Sequence, residues 1–129
     1  MAYSKQKQRE YVKLHYQNNK NLYKSRAKKN RKIHIERNKK FVNDFKEAKQ
    51  CCDCSGKFVA IQLDFDHLGE NKDKNIAQMV NMAYSIERIK QEIEKCEVVC
   101  ASCHRLRTHN RLHPLLVEQV DTEVSKTFA

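Results

Sequence analysis

The 129-residue chain carries 26 Lys+Arg against 16 Asp+Glu, a formal charge of +10, with 8% aromatic residues and no Trp. A chain this short and polar has room for one modest domain with a thin core, and it calls for a staple beyond apolar packing. It contains no run of about 18 apolar residues, which excludes a membrane-spanning helix. No apolar stretch follows the basic start MAYSKQKQRE, so a cytoplasmic, reducing environment is expected rather than a secretory one.

The charge is uneven. Residues 1–50 hold 16 Lys+Arg and 4 Asp+Glu, a net of +12, whereas residues 51–129 hold 10 and 12, a net of −2. A basic block of this density fits a polyanion, most simply nucleic acid. A solubilising helix has the same composition. Positions 5–50 lack Gly and Pro, and their apolar residues (Tyr11, Leu14, Leu22, Tyr23, Ile33, Ile35, Phe41, Val42, Phe45) recur irregularly. Helices are expected over 6–18 and 30–49, with a break at Asn18, Asn19 and Asn21. This gives a basic, largely helical arm over 1–50.

Next comes CCDC at 51–54, followed by the turn signal Ser55-Gly56. From Phe58 the chain reads as a strand in which Ile61, Leu63 and Phe65 alternate with Gln62, Asp64 and Asp66. It ends on Asp66-His67. Residues 68–74 read as a loop. From Asn75 to about Lys95, Ile76, Val80, Ala83, Ile86, Ile89 and Ile93 share a helical stripe, with Met79 and Met82 as packing residues. Cys96–Cys100 is short enough for a second strand. A basic helix opens at Cys103-His104 and stops near His113, because Pro114 disfavours helical geometry in the residue before it. The segment 114–129 is a tail that holds at most another helical turn or two.

Cys51-x-x-Cys54 and Cys100-x-x-Cys103 are the strongest structural signal. Each pair puts two thiolates on one small turn, and two such turns make a tetrahedral four-cysteine zinc site. The 45 residues between Cys54 and Cys100 then form a closed loop pinned by metal. Redox pairs are the competing reading, and Cys52/Cys54 is a competing but poorly spaced pair. Cys96 reads as a buried apolar residue.

Asp66, His67 and His104 are the candidate chemistry. Phosphodiester hydrolysis needs a ligand for a divalent ion, a base for the attacking water and a counter-charge for the leaving oxygen. Asp66 suits the first and His67 the second. Zinc would draw the Cys100-Cys103 turn against Cys51-Cys54, and so bring His104 towards Asp66 as a second ligand. A carboxylate, an imidazole and waters suit Mg²⁺ or Mn²⁺. Thr108 or His109, close on the same helical face, is the candidate third contact, and Lys95 is within reach. Arg105, Arg107 and Arg111 form a basic rim whose guanidinium forks match phosphate oxygens. His104 could instead serve the zinc site.

Taken together, C51-C-D-C54, L63-D-F-D-H67 and K95-C-E-V-V-C-A-S-C-H-R105, with T108 beyond, resemble the HNH (His-Me finger, ββα-metal) endonuclease family in its zinc-stabilised four-cysteine branch. The resemblance covers residues 51–111. It implies an α+β fold of ββα-metal type over 51–113, with a zinc knuckle, and cleavage of DNA, expected here to be double-stranded. It implies Asp66 and His104 as ligands of the catalytic ion, His67 as general base, Thr108 at the place of a third ligand, and the four cysteines on structural zinc. The family's central Asn lies nine residues before the second metal ligand, where this chain has Lys95. Such proteins often come from phages and mobile elements, which implies a host-cell cytoplasm. The arm could equally dock a larger protein or an RNA. The alternative readings are a catalytically silent zinc module that binds nucleic acid, and a structured-RNA-binding protein.

Overall fold

A computed structural model describes residues 4–114. The tail expected over 114–129 lies outside them except for Pro114. The domain is mixed α+β, mostly helical, with one small sheet. Among the described residues, no helix is long and apolar enough to cross a membrane.

Helix α1 spans Lys5–Asn18 and opens on Ser4, whose hydroxyl accepts from Lys7 N. Helix α2 spans Lys20–Glu47. The expected break is therefore one residue wide, at Asn19, and helix continues through 20–29. That stretch has neither Gly nor Pro, and its Lys, Arg, Leu and Ala favour helix. Across the break, the Tyr23 hydroxyl and a His15 ring nitrogen lie 3.1 Å apart.

Residues 58–62 are not strand. Ala60–Gln62 form a short 3₁₀ turn (α3), and Ile61 is 90% exposed instead of facing the core. Strand β1 is Leu63–His67 and β2 is Cys96–Cys100. They pair antiparallel, with Leu63 opposite Cys100 and His67 opposite Cys96. The long helix expected from 75 to 95 is two helices, α4 (Ile76–Asn81) and α5 (Ile86–Ile93). Ala83 takes a left-handed φ of 56°, which ends α4, and the Ser85 hydroxyl caps α5 by accepting from Arg88 N. Helix α6 is Ala101–Leu112 and stops before Pro114 as expected.

The core has two parts. In one, Val42 of α2 meets Ile76, Met79 and Val80 of α4 and Ile89 and Ile93 of α5. In the other, Leu63, Val98, Val99, Cys51 and Cys100 line the sheet. Phe45 and Phe65, 6.0 Å apart, join the two. The C-terminal half of α2 is thus built into the domain. Buried Asn38 confirms the attachment: its amide donates to the Tyr84 carbonyl at 2.9 Å, tying α2 to the kink between α4 and α5. Ile89 is fully buried where α2, α4 and α5 meet. Ile89→Ala should cost about 2–5 kcal/mol in urea unfolding, and a loss under 1 kcal/mol would show that these helices are not one cooperative core.

Candidate metal centre and adjoining cleft

The four expected cysteines meet. The sulfurs of Cys51, Cys54, Cys100 and Cys103 all lie within 4.8 Å of one another, with Cys54 and Cys100 at 4.0 Å. In a tetrahedral zinc centre with bonds of about 2.3 Å, sulfurs lie about 3.8 Å apart, so the cluster fits the ion. The first pair sits on a tight turn closed by Ser55 N on the Cys51 carbonyl (2.9 Å) and Cys51 N on the Gly56 carbonyl (3.0 Å). Ser55 adopts a left-handed φ of 60° to complete it. The second pair lies where β2 enters α6, and the Cys100 sulfur caps the helix by accepting from Cys103 N.

The donor set is also primed electrostatically. Burial pushes the Cys51 thiol up, but backbone N–H groups of Cys54, Cys100 and Asp53 aimed at its sulfur outweigh it and bring its pKa down to about 6. Cys103 is pushed up to about 12, first by its hydrogen bond with Cys100 and then by burial. Four crowded sulfurs cannot all shed protons unless a cation neutralises them, which is the chemistry of a zinc-thiolate centre. Cys52 is exposed and outside the cluster. Cys96 is half-buried, donates to the Glu92 carbonyl at 3.4 Å, and is raised to about 11, chiefly by burial.

Asp66 is 3% exposed. Arg111 grips both its carboxylate oxygens, at 2.9 and 2.6 Å, and Arg107 donates to one at 2.8 Å. Arg107 also reaches Asp53 of the cysteine turn and Glu97 of β2. This guanidinium therefore links knuckle, sheet and α6. Arg111 in first place, acting against burial, holds the Asp66 carboxyl down at about 2.

His104 lies between two carboxylates. Its Nε2 is 3.6 Å from Asp66 Oδ1 and its Nδ1 is 3.1 Å from Asp64 Oδ2. The Asp66 oxygen nearest His104 also accepts from Arg111 at 2.9 Å. Outside the four cysteines, no group of three metal-ligating side chains converges among the described residues.

His67 Nε2 is 2.9 Å from Glu92 Oε1. Glu92 is 2% exposed and also accepts from Asp73 N (3.1 Å) and Lys95 Nζ (2.9 Å). Burial opposes its charge, but Lys95, the Asp73 N–H and His67 outweigh that and lower its pKa. Lys95 further donates to the Asn71 carbonyl at 2.8 Å. The remaining candidates lie apart from this constellation. The Thr108 hydroxyl donates to the His104 carbonyl (3.1 Å), the His109 ring rests 4.8 Å from His113, and Arg105 is exposed with no ion-pair partner among the described residues.

His67, Asp64 and His104 line a cleft of about 530 Å³ whose facing wall is α2, through Lys39, Asn43 and Lys46. Sequence reading missed Glu92, Asp64 and this wall. Glu92 sits between Ile89 and Ile93 in a helical stripe, and only its burial reveals it. Asp64 was legible as a polar partner of Asp66 on the same strand face.

Comparison with protein-family models, curated proteins and solved structures finds no match. Fold and site therefore define a mixed α+β domain with a four-cysteine, metal-coordinating centre.

Purified chain should hold one zinc per molecule by elemental analysis, and a strong chelator at pH 7 should abolish its cooperative thermal transition. Metal-free protein with an unchanged melt would refute the staple. Asp66 makes a pH prediction. Its folded pKa of about 2 lies below its ordinary value of 3.8, so its contribution is complete above about pH 4 and is lost as pH falls towards 2. Asp66→Asn should flatten that limb of the stability–pH curve, and an unchanged limb would count against the Arg111 and Arg107 pairing.

Proposed function

We propose that the chain is a divalent-metal-dependent DNA endonuclease of the HNH (ββα-metal) type. The observation that carries this reading is the antiparallel β1–β2 pair leading into α6, which sets His104 Nε2 3.6 Å from Asp66 Oδ1, with His67 and His104 lining one cleft. Asp66 and His104 would hold Mg²⁺ or Mn²⁺, which supplies Lewis-acid stabilisation of the charge growing on the phosphate and leaving oxygen. His67 is the base. The Glu92 carboxylate accepts its Nε2–H, which fixes the tautomer with a lone pair on Nδ1 and supports the positive ring once that atom takes a proton from water. Glu92 is itself immobilised by Lys95 and Asp73 N. Arg107 is committed to three carboxylates. Arg105, exposed, remains for phosphate oxygens, and the half-exposed Arg111 could reach one only by giving up part of its grip on Asp66. Zinc-ready thiols suit a reducing cytoplasm.

A second reading has its own support. Asp66 is buried with both oxygens held by arginine, which is how a structural ion-pair hub is built. The four-cysteine centre and basic arm would equally serve a catalytically silent zinc module that binds DNA or structured RNA.

The test incubates zinc-loaded protein with supercoiled plasmid in Mg²⁺, Mn²⁺ or EDTA. Divalent-dependent nicking is expected. His67→Ala should lose at least about 100-fold in rate, and Glu92→Gln about 10-fold, both with DNA binding retained. Binding without divalent-dependent cleavage of plasmid, branched DNA or structured RNA would leave the silent module standing.

A further inference from the structure

Helix α2 has a basic stripe that the catalytic reading does not use. At about 100° per residue, Lys28, Lys32, Lys39, Asn43 and Lys46 fall within about 40° of one line along the helix. Lys28, Lys32, Lys39 and Asn43 are exposed, and the one ion pair on α2 among the described residues is Lys40–Asp44, off this line. At its C-terminal end the stripe enters the cleft: Lys39, Asn43 and Lys46 face the wall that carries Asp64, His67 and His104. Lys46 is half-buried, with its ammonium 5.3 Å from the centre of the Phe65 ring. The two walls are thus opposite in charge, with an apolar floor of Val42, Phe65, Ile76 and Val80 between them.

We propose that this α2 stripe is a phosphodiester-binding subsite, in which Lys39, Asn43 and Lys46 hold backbone phosphates beside the reacting one and Lys28 and Lys32 follow the same strand outward. The inference rests on the nuclease reading for what the cleft does to that strand, but not for the binding itself. Three arguments support it. Lys28, Lys32 and Lys39 make no ion pair among the described residues, so a polyanion can release their condensed ions on binding, whereas Lys46 faces Asp64 across the cleft. An asparagine amide among lysines supplies directional N–H donation where ammonium groups supply only charge. From Lys28 to Lys46 the stripe runs about 27 Å at about 1.5 Å per residue, long enough to meet several phosphates of a bound nucleic acid. A strand lying on it is delivered to His67 and His104.

The test is binding in EDTA, where no cleavage can occur. Affinity of a 20-base-pair DNA duplex is measured by fluorescence anisotropy across a salt series for the full, zinc-loaded chain. Three double variants are compared: Lys39→Gln/Lys46→Gln, Lys28→Gln/Lys32→Gln, and Lys29→Gln/Lys40→Gln. The last removes equal charge from positions about 80–100° around the helix. The first pair should weaken binding on the order of tenfold and reduce the salt slope by about 1.8, at about 0.9 per phosphate contact. The second pair, exposed on α2, should do so to a smaller extent and keeps the test sound if Lys46 matters for folding. The third should stay near wild type. Equal losses in all three, or none in the first two, would overturn the subsite and leave a diffuse electrostatic effect. Tighter binding to an RNA duplex of the same sequence, with the same pattern of losses, would keep the subsite and reassign its source to RNA. Because cleavage plays no part, an inactive protein that shows this pattern would retain the subsite while losing the nuclease reading.

Discussion

Four sulfurs on one ion would set the position of everything else in this domain. Among the described residues the buried apolar side chains make two small clusters, joined through Phe45 and Phe65, and a core of that size leaves little margin over chain entropy. The Cys51–Cys54 turn and the Cys100–Cys103 helix start are far apart in sequence, so metal joining them closes a long loop. That closure has a geometric consequence. β2 runs into α6 through Cys100, and α6 is thereby set against β1, which begins soon after Cys54. His104 is one residue past the last cysteine, so its approach to Asp64 and Asp66 follows from where the metal centre lies.

A second layer of charge works on the first. Arg107 touches the cysteine turn through Asp53, β1 through Asp66 and β2 through Glu97. It offsets three carboxylates that would otherwise repel one another next to a thiolate cluster of the same sign. Partly buried arginine forks suit this role because the guanidinium keeps its charge and donates in several directions. The same network means that Asp66 is not an idle carboxylate. Any cation brought to it competes with Arg111, whose half-exposed side chain is the more easily displaced of the two arginines. Asp66 is therefore stabilising with arginine alone and usable as a ligand only at the expense of one of its bonds.

The sequence was legible where chemistry imposes spacing. Two CxxC pairs have few other uses, and Leu63–His67 and Cys96–Cys100 are strands in the structure. Legibility failed where single residues reset the backbone. Ala83 carries no turn signature, yet its left-handed φ splits a stripe that reads as one helix, because Asn38 and Arg37 of α2 offer donors to the Tyr84 carbonyl. Phe58–Ile61 has strand-like composition, but no neighbouring strand pairs with it, and Ala60 N turns instead to the Glu47 carboxylate at 3.2 Å. The arm was legible as basic and helical. That its C-terminal half belongs to the core depends on contacts with α4 and α5 that no local pattern encodes.

The surroundings of His67 give the lysine at position 95 a physical sense. An asparagine can steady a loop by hydrogen bonding, whereas a lysine amino group needs a counter-charge. Here Lys95 finds it in Glu92, one turn back on the same segment, and ties that carboxylate to the loop through the Asn71 carbonyl. Glu92 then presents its other oxygen to His67. The imidazole is held by a buried carboxylate rather than by a neutral group, which fixes its orientation. Lysine and glutamate form one unit in this arrangement: without Lys95, Glu92 would be a poorly compensated buried charge, and without Glu92, Lys95 would have no reason to stay beside the strand that carries His67.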